Sequence, residues 1–416
     1  MIRADQLEVH VEIDGATVLA GTAYFHRGRG QLTSTTFNYE PGYIGLPGSY
    51  DLDPALPLTT GAQHIQGGLP GAFSDCAPDR WGRNLISKLE RANAAAEERT
   101  VRRLDDADFL TGVSDITRQG GLRFRAEKGP FLAADSDVPK LIRLPELLRA
   151  SEVAARDAGD STELAAVKQL LAAGTGSLGG ARPKASVQGP DGQMLIAKFP
   201  HPDDGWDVMA WEATALDLAE MAGVRVPGRR LEKLDGKHVL LLDRFDRIGS
   251  ARVGYMSAMT ALERRDGEGG DYEEIAEQLE TISARPSDDA HELYRRVVFS
   301  VGVNNTDDHL RNHGFIRHGA GWVLSPAFDI NPNPHQEARQ TAIAGTETRE
   351  AAPAALDRFA VDCRLSSLEA EQVRRNVAGA LANWREVARR NGVPAAELDL
   401  FAPAFQQGLD TLGWER

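Results

Sequence analysis

Cysteine is almost missing: Cys76 and Cys363 are the only two in 416 residues. They stand too far apart in the chain to build a disulfide framework or a thiolate metal site. Two reduced, buried thiols are the expectation. Long apolar runs are missing too, and none approaches the roughly 18 residues that span a bilayer. The opening stretch Met1-Ile-Arg-Ala-Asp-Gln-Leu-Glu lacks the apolar core of a secretory signal, so a cytoplasmic location is expected. There is no basic excess either: 47 Lys and Arg face 61 Asp and Glu, a formal charge of −14. That balance argues against direct nucleic-acid binding and against anionic membranes. Aromatics are scarce at 6%, but a hydrophobic content of 42% is that of an ordinary globular protein. A chain this long is expected to form two or three lobes.

Alternation of apolar and polar residues at Leu7, Val9, Val11, Ile13 and again at Val18, Ala20, Thr22, Tyr24, around Asp14-Gly15, predicts a β-hairpin. A stretch rich in Gly and Pro follows to about residue 75 and reads as loops. Residues 78–110 read as helical, with Trp81, Leu85, Ile86 and Leu89 on one face. Residues 1–150 are therefore expected to form a small α/β domain without evident chemistry. A helix is expected at 161–173, stopped by Gly174. Strands are expected at 184–187, 194–199 and 239–242, with a helix at about 208–222 between the last two. Beyond 260 helical patterns dominate.

Three separated motifs carry chemistry. Gly174-Thr-Gly176-Ser-Leu-Gly179-Gly180-Ala-Arg-Pro-Lys184 contains G-x-G-x-x-G, whose glycines let backbone N–H groups approach phosphate oxygens. A dinucleotide fold would put such a loop after a strand and before a helix. Here a helix precedes it and a strand follows, which suits the glycine-rich flap of a protein kinase; a flexible linker ending in a hairpin is the plainer alternative. Met194-Leu-Ile-Ala-Lys198-Phe ends an apolar strand in a lysine. Such a charge needs a partner if it points inward, and Glu212 on the next helix is the candidate; an edge lysine reaching back to water is the alternative.

The third motif is Asn304-Asn-Thr-Asp307-Asp308-His309-Leu-Arg-Asn312-His313-Gly. Asp307 and Asn312 have the D-x-x-x-x-N spacing of a kinase catalytic loop, where the Asp takes the acceptor proton and the Asn oxygen binds Mg²⁺. A short hairpin, Phe315-Ile-Arg, a Gly319-Ala-Gly321 turn and Trp322-Val-Leu324, leads to Phe328-Asp329, and Asp329 fills the metal-binding place of the DFG aspartate. Two other readings remain open at this point. His309 and His313, four apart, could form a zinc pair, though without the intervening glutamate of H-E-x-x-H. Asp307, Asp308 and Asn312 could simply be turn residues.

With these motifs in this order, the sequence resembles the HipA family of kinase toxins. The likeness is densest at Ser177-Leu-Gly-Gly-Ala-Arg-Pro-Lys184, Ile196-Ala-Lys198, Asp243-Arg-Phe245-Asp-Arg247, Asn305-Thr-Asp307-Asp-His309-Leu-Arg-Asn312 and Phe328-Asp329. The resemblance implies an α+β, protein-kinase-like bilobal fold: an added N-terminal α/β subdomain (1–150), a kinase N-lobe (151–245) and a mostly helical C-lobe (246–416). It implies a serine/threonine protein kinase using ATP and Mg²⁺, the toxin of a toxin–antitoxin module. Gly179, Gly180, Ala181, Arg182, Pro183 and Lys184 would then cradle ATP, with Lys198 on its phosphates. Asp243, Arg244 and Phe245 would form the hinge that meets adenine. Asp307 would be the catalytic base, and His309, Leu310, Arg311, Asn312, Phe328 and Asp329 would line the nucleotide, with Asn312 and Asp329 on the metal. Ser177 matches a serine that family members autophosphorylate. A separate antitoxin protein is the implied partner, and an aminoacyl-tRNA synthetase is the suggested substrate. Arg182-Pro183 departs from the family's loop, and Pro183 removes a backbone donor there.

Two other functions compete. A small-molecule phosphotransferase would read H-x-D-x-x-x-x-N, whereas here His309 follows the aspartate. A vestigial partner in a repressor complex would not need Asp307, Asn312, Asp329 and Lys198 intact.

Overall fold

The structure, a computed structural model, describes residues 3–13, 15–132, 138–156, 159–174, 182–335 and 337–414. Two compact units divide the chain: Met1–Asp203 with Lys233–Met256, and Asp204–Glu232 with Ser257–Arg416.

Among the described residues the first unit holds two larger sheets and a two-stranded ribbon, Arg247–Ile248 with Ala251–Arg252. The hairpin read from the sequence is present as Gln6–Ile13 paired with Ala16–Gly28. It is part of a five-stranded sheet that the sequence reading missed in part. Residues expected as loops form the strands Gln31–Tyr39 and Ala62–Gln66, paired antiparallel to each other and, through Gln31–Tyr39, to the hairpin. The run Thr33-Ser-Thr-Thr36 looks polar, but β-branched threonines suit a strand. Thr35 is fully buried with its hydroxyl donating to the Gly68 carbonyl at 2.7 Å. Leu7, Val9, Val11, Phe37, Phe73 and Phe124 fill the core against this sheet.

The helical stretch expected at 78–110 is broken into Arg80–Ala96 and Asp106–Thr111. Glu98 takes a positive φ of 50° just past the first helix. Asp105 opens the second with a reciprocal capping box to Asp108.

The second sheet of this unit pairs Lys184–Gln188 with Met194–Lys198, and that strand with Lys237–Asp243, all antiparallel. Alternation sends Ala185, Val187, Leu195, Ala197, Val239 and Leu241 into a core shared with Trp81, Leu147, Leu148, Val167 and Leu170 of the helices Arg80–Ala96, Leu144–Ala155 and Ser161–Ala172. Lys184 and Lys198 stand directly opposite each other in the register, on the other face.

The second unit is mostly helical. Its central helix is Pro286–Gly302, and Val208–Met221, Tyr272–Ile282, Ala352–Asp362, Ser367–Leu381 and Ala395–Thr411 belong to the same unit. Two glycines let the central helix and the last one touch: a Cβ on Gly408 would lie 1.9 Å from the Gly302 carbonyl oxygen, so nothing larger fits. This contact fixes the C-terminal end of Pro286–Gly302, from which the motif at 304–312 departs. Among the described residues no helix is long and apolar enough to cross a membrane.

Candidate active site

The predicted hairpin after the motif is present in the second unit, Gly314–His318 against Gly321–Leu324, with Phe315 opposite Leu324. It returns the chain to 325–335, which lies along the loop at 304–309. Asn304 makes the joint. Its φ is +56°, uncommon for a residue with a side chain, and its Nδ2 donates to the carbonyls of Asn333 (2.6 Å) and His335 (2.8 Å). The Asn333 N–H donates back to the Asn304 carbonyl at 3.1 Å, and Asn333 Nδ2 donates to Thr306 Oγ1 at 2.8 Å. These four bonds bring Asp307 and Asp329 into one electrostatic neighbourhood.

Asp307 is exposed to solvent. Its pKa is raised: partial burial of the carboxyl is the main cause, with Asp329 and Asp308 adding to it, against the opposing pull of His309 and a hydrogen bond from Gln340. Asn312 follows on the single 3-10 turn Leu310–Asn312, and its side-chain amide lies 3.0 Å from the Asp307 carbonyl. A carbonyl only accepts, so the atom facing it must be Nδ2, and Oδ1 is turned away. Asp329 holds a φ of +53°. Asp tolerates this left-handed region better than most residues, and such outliers gather at functional sites. His309 Nδ1 is buried and has no hydrogen-bond partner among the described residues.

Asp308 does the work of holding the loop, a role that the sequence reading did not separate from that of Asp307. Its Oδ2 accepts from Tyr272 (2.7 Å) and Ser300 (2.9 Å), and its Oδ1 lies 2.9 Å from His313 Nε2. Burial alone would raise its pKa, but His313 and the hydroxyls of Tyr272 and Ser300 outweigh it and hold it at about 2. This commits His313 to the interior, with its ring edge-on to Tyr272. Leu310 is buried, and Arg311 bonds Asp266 at 2.8 Å.

Glu212 is only 1% exposed on Val208–Met221. The helix is anchored beside it: Trp211 donates to Glu397 at 2.9 Å and stacks on Phe401 with ring centroids 3.9 Å apart.

In the first unit, Lys198 ends its strand nearly buried. Lys184 is bonded to Asp79 at 2.9 Å, both side chains buried, and Asp79 also caps the helix Arg80–Ala96 through the Gly82 N–H. Two lysines opposite each other repel, and this carboxylate relieves the pair. The sequence carries no local sign of it, because Asp79 lies 105 residues away. Asp243 ends its strand exposed, while Phe245 tilts against Tyr255. Arg244, between them, points inward: it grips Asp246 at 2.6 and 2.8 Å and donates to the Thr117 carbonyl. Arg182 and Pro183 are described, and the Pro183 carbonyl accepts from the Phe199 N–H at 2.9 Å. Ser177, Gly179, Gly180 and Ala181 lie outside the described residues.

Among the described residues no group of three or more His, Cys, Asp or Glu could hold a metal ion. What the loop offers is hard oxygen: the Asp329 carboxylate and Asn312 Oδ1. That set fits Mg²⁺, which binds through one or two carboxylates and takes its remaining ligands from water and phosphate.

The family follows from comparison with known proteins. A sequence model of the HipA-like C-terminal domain matches residues 176–385, half of the chain, and a model of the HipA N-terminal domain matches 18–107. The chain belongs to the HipA family. The HipA chain of a HipA–HipB–operator DNA complex from Shewanella oneidensis is similar over 98% of this chain and 96% of its own, with a TM-score of 0.63 at 15% identity. The two therefore share the α+β, kinase-like fold. A protein of Sinorhizobium fredii named "Putative kinase Y4mE" is 27% identical over 146 residues, 32% of this chain and 33% of that relative. The match thus spans about a third of that relative's length.

Proposed function

We propose that this HipA-family chain is an ATP- and Mg²⁺-dependent serine/threonine protein kinase, the toxin of a toxin–antitoxin pair. One observation carries the reading. Asn312 turns its amide nitrogen to the Asp307 carbonyl and its oxygen away from it, in a loop where Asp329 acts on the Asp307 carboxyl. Asp307 is then the group that takes the proton of an acceptor hydroxyl, and its raised pKa makes it a better base than an ordinary aspartate. Asn312 and Asp329 would hold Mg²⁺, which when bound neutralises charge on the phosphates. Lys198 supplies a positive charge to the α- and β-phosphates. The antitoxin partner is proposed because the Shewanella HipA was solved with HipB. A serine on an aminoacyl-tRNA synthetase is proposed as the target by resemblance alone.

Lys198 and Asp329 act differently under this reading. Lys198→Ala is expected to weaken ATP binding with or without Mg²⁺, whereas Asp329→Asn weakens it only when Mg²⁺ is present. Titration calorimetry at both conditions reads this directly; the same metal dependence in the two variants would contradict it. The reading also includes self-modification of Ser177. A phosphate there adds roughly −1.5 to −2 charges and is expected to lower ATP affinity. Peptide mass analysis after incubation with ATP should find that phosphate in the wild type and not in Asp307→Asn.

A further inference from the structure

Among the described residues the Asp307 carboxylate accepts one hydrogen bond, and its donor is the side-chain amide of Gln340, 2.6 Å from Oδ1. Gln340 comes 33 residues later and is exposed. An exposed glutamine would ordinarily be free to leave, but its backbone is not. The Gln340 N–H donates to the Thr306 carbonyl at 3.2 Å, and the next residue, Thr341, donates its hydroxyl to the Asp308 carbonyl at 2.6 Å. The short strand Thr341–Ala342 then pairs in parallel with Gly270–Asp271. Hydrogen bonds to the carbonyls on both sides of Asp307 therefore set where this amide sits.

The geometry points to Gln340 as a positioning residue for phosphoryl transfer, an inference that rests on the kinase reading. A carboxylate attached only through its Cβ turns freely and presents either oxygen. With Oδ1 held by the amide, Oδ2 is the oxygen that faces the acceptor. The acceptor oxygen bonds to the γ-phosphorus, the bond from that phosphorus to the β–γ bridging oxygen breaks, ADP leaves, and the hydroxyl proton passes to Oδ2. A neutral donor suits this place: it orders the base without neutralising it, as a lysine would, and without repelling it, as a glutamate would.

The test is transfer of label from γ-labelled ATP to the chain itself and to water, in Gln340→Ala and Gln340→Glu. Positioning of this kind is worth about ten- to a hundredfold. Gln340→Ala is expected to lower kcat by that factor with the KM for ATP unchanged. Gln340→Glu is expected to fall further, because it sets a second negative charge against Asp307. A side chain with only a structural role at an exposed position would give the two variants equal rates and shift their melting instead. Wild-type or raised kcat in Gln340→Ala, equal rates in the two variants, or a loss expressed as a higher KM for ATP would each overturn the inference. Asp307→Asn in the same assay separates the two levels. If it stays active, the kinase reading itself fails; if it is dead while Gln340→Ala is normal, only the role of Gln340 fails.

Discussion

Asp307→Asn is expected to lower phosphoryl transfer from ATP by about 10²- to 10⁴-fold, the usual worth of a general base, while thermal unfolding stays where it is in the wild type. Both halves follow from the surroundings of the residue. The side chain is exposed, and the Gln340 amide is its one hydrogen-bond donor among the described residues. Asparagine keeps the shape and an oxygen for that amide. The backbone carbonyl that orients Asn312 is untouched by the change. What is lost is the negative oxygen that takes a proton. Rate measurement together with a melt followed by circular dichroism checks this, and a wild-type rate would contradict the assignment.

Asp308→Asn, one residue on, is expected to do the reverse and cost stability. Asp308 is buried and serves two hydroxyl donors and an imidazole. An asparagine must turn its NH₂ toward one side or the other, and the groups on that side lose the carboxylate oxygen they bond to. Leaving a buried polar network half-satisfied costs on the order of 3 kcal/mol. The same network predicts a pH dependence. The folded carboxyl has a pKa of about 2, below the roughly 3.9 of a free aspartate. A depressed pKa means that the contribution is fully present above the unfolded value and is lost as pH falls from about 4 toward 2. Urea unfolding of the two proteins should therefore differ clearly at neutral pH and converge as the acid limit is approached. Equal midpoints at neutral pH would show that Asp308 does not hold the loop.

The sequence made the loop at 304–312 and the hairpin after it legible because their information is local. Asp307 and Asn312 are five residues apart, and the hairpin that brings Asp329 back reads from glycines and alternation. What holds that loop is not local. Asp308 depends on Tyr272, 36 residues earlier, and Asp307 on Gln340, 33 residues later. No spacing rule reaches that far. The N-terminal sheet was half-read for another reason: in Gln31–Tyr39 the inward Thr35 satisfies its hydroxyl on a backbone carbonyl, so a buried position carries a polar residue and the alternation is disguised. Lys184 and Arg244 show a further limit. The fold sets a buried aspartate beside each of these basic residues, Asp79 for one and Asp246 for the other, and the motif alone does not show that pairing.

The most direct test of the account is to incubate the purified chain with γ-labelled ATP and Mg²⁺, offering it the proteins of a cell extract in one reaction and small alcohols such as choline and aminoglycosides in another. The kinase reading predicts label on protein serine or threonine, dependent on Mg²⁺ and absent with Asp307→Asn. Label confined to the small molecules, or protein label that survives in Asp307→Asn, would contradict it.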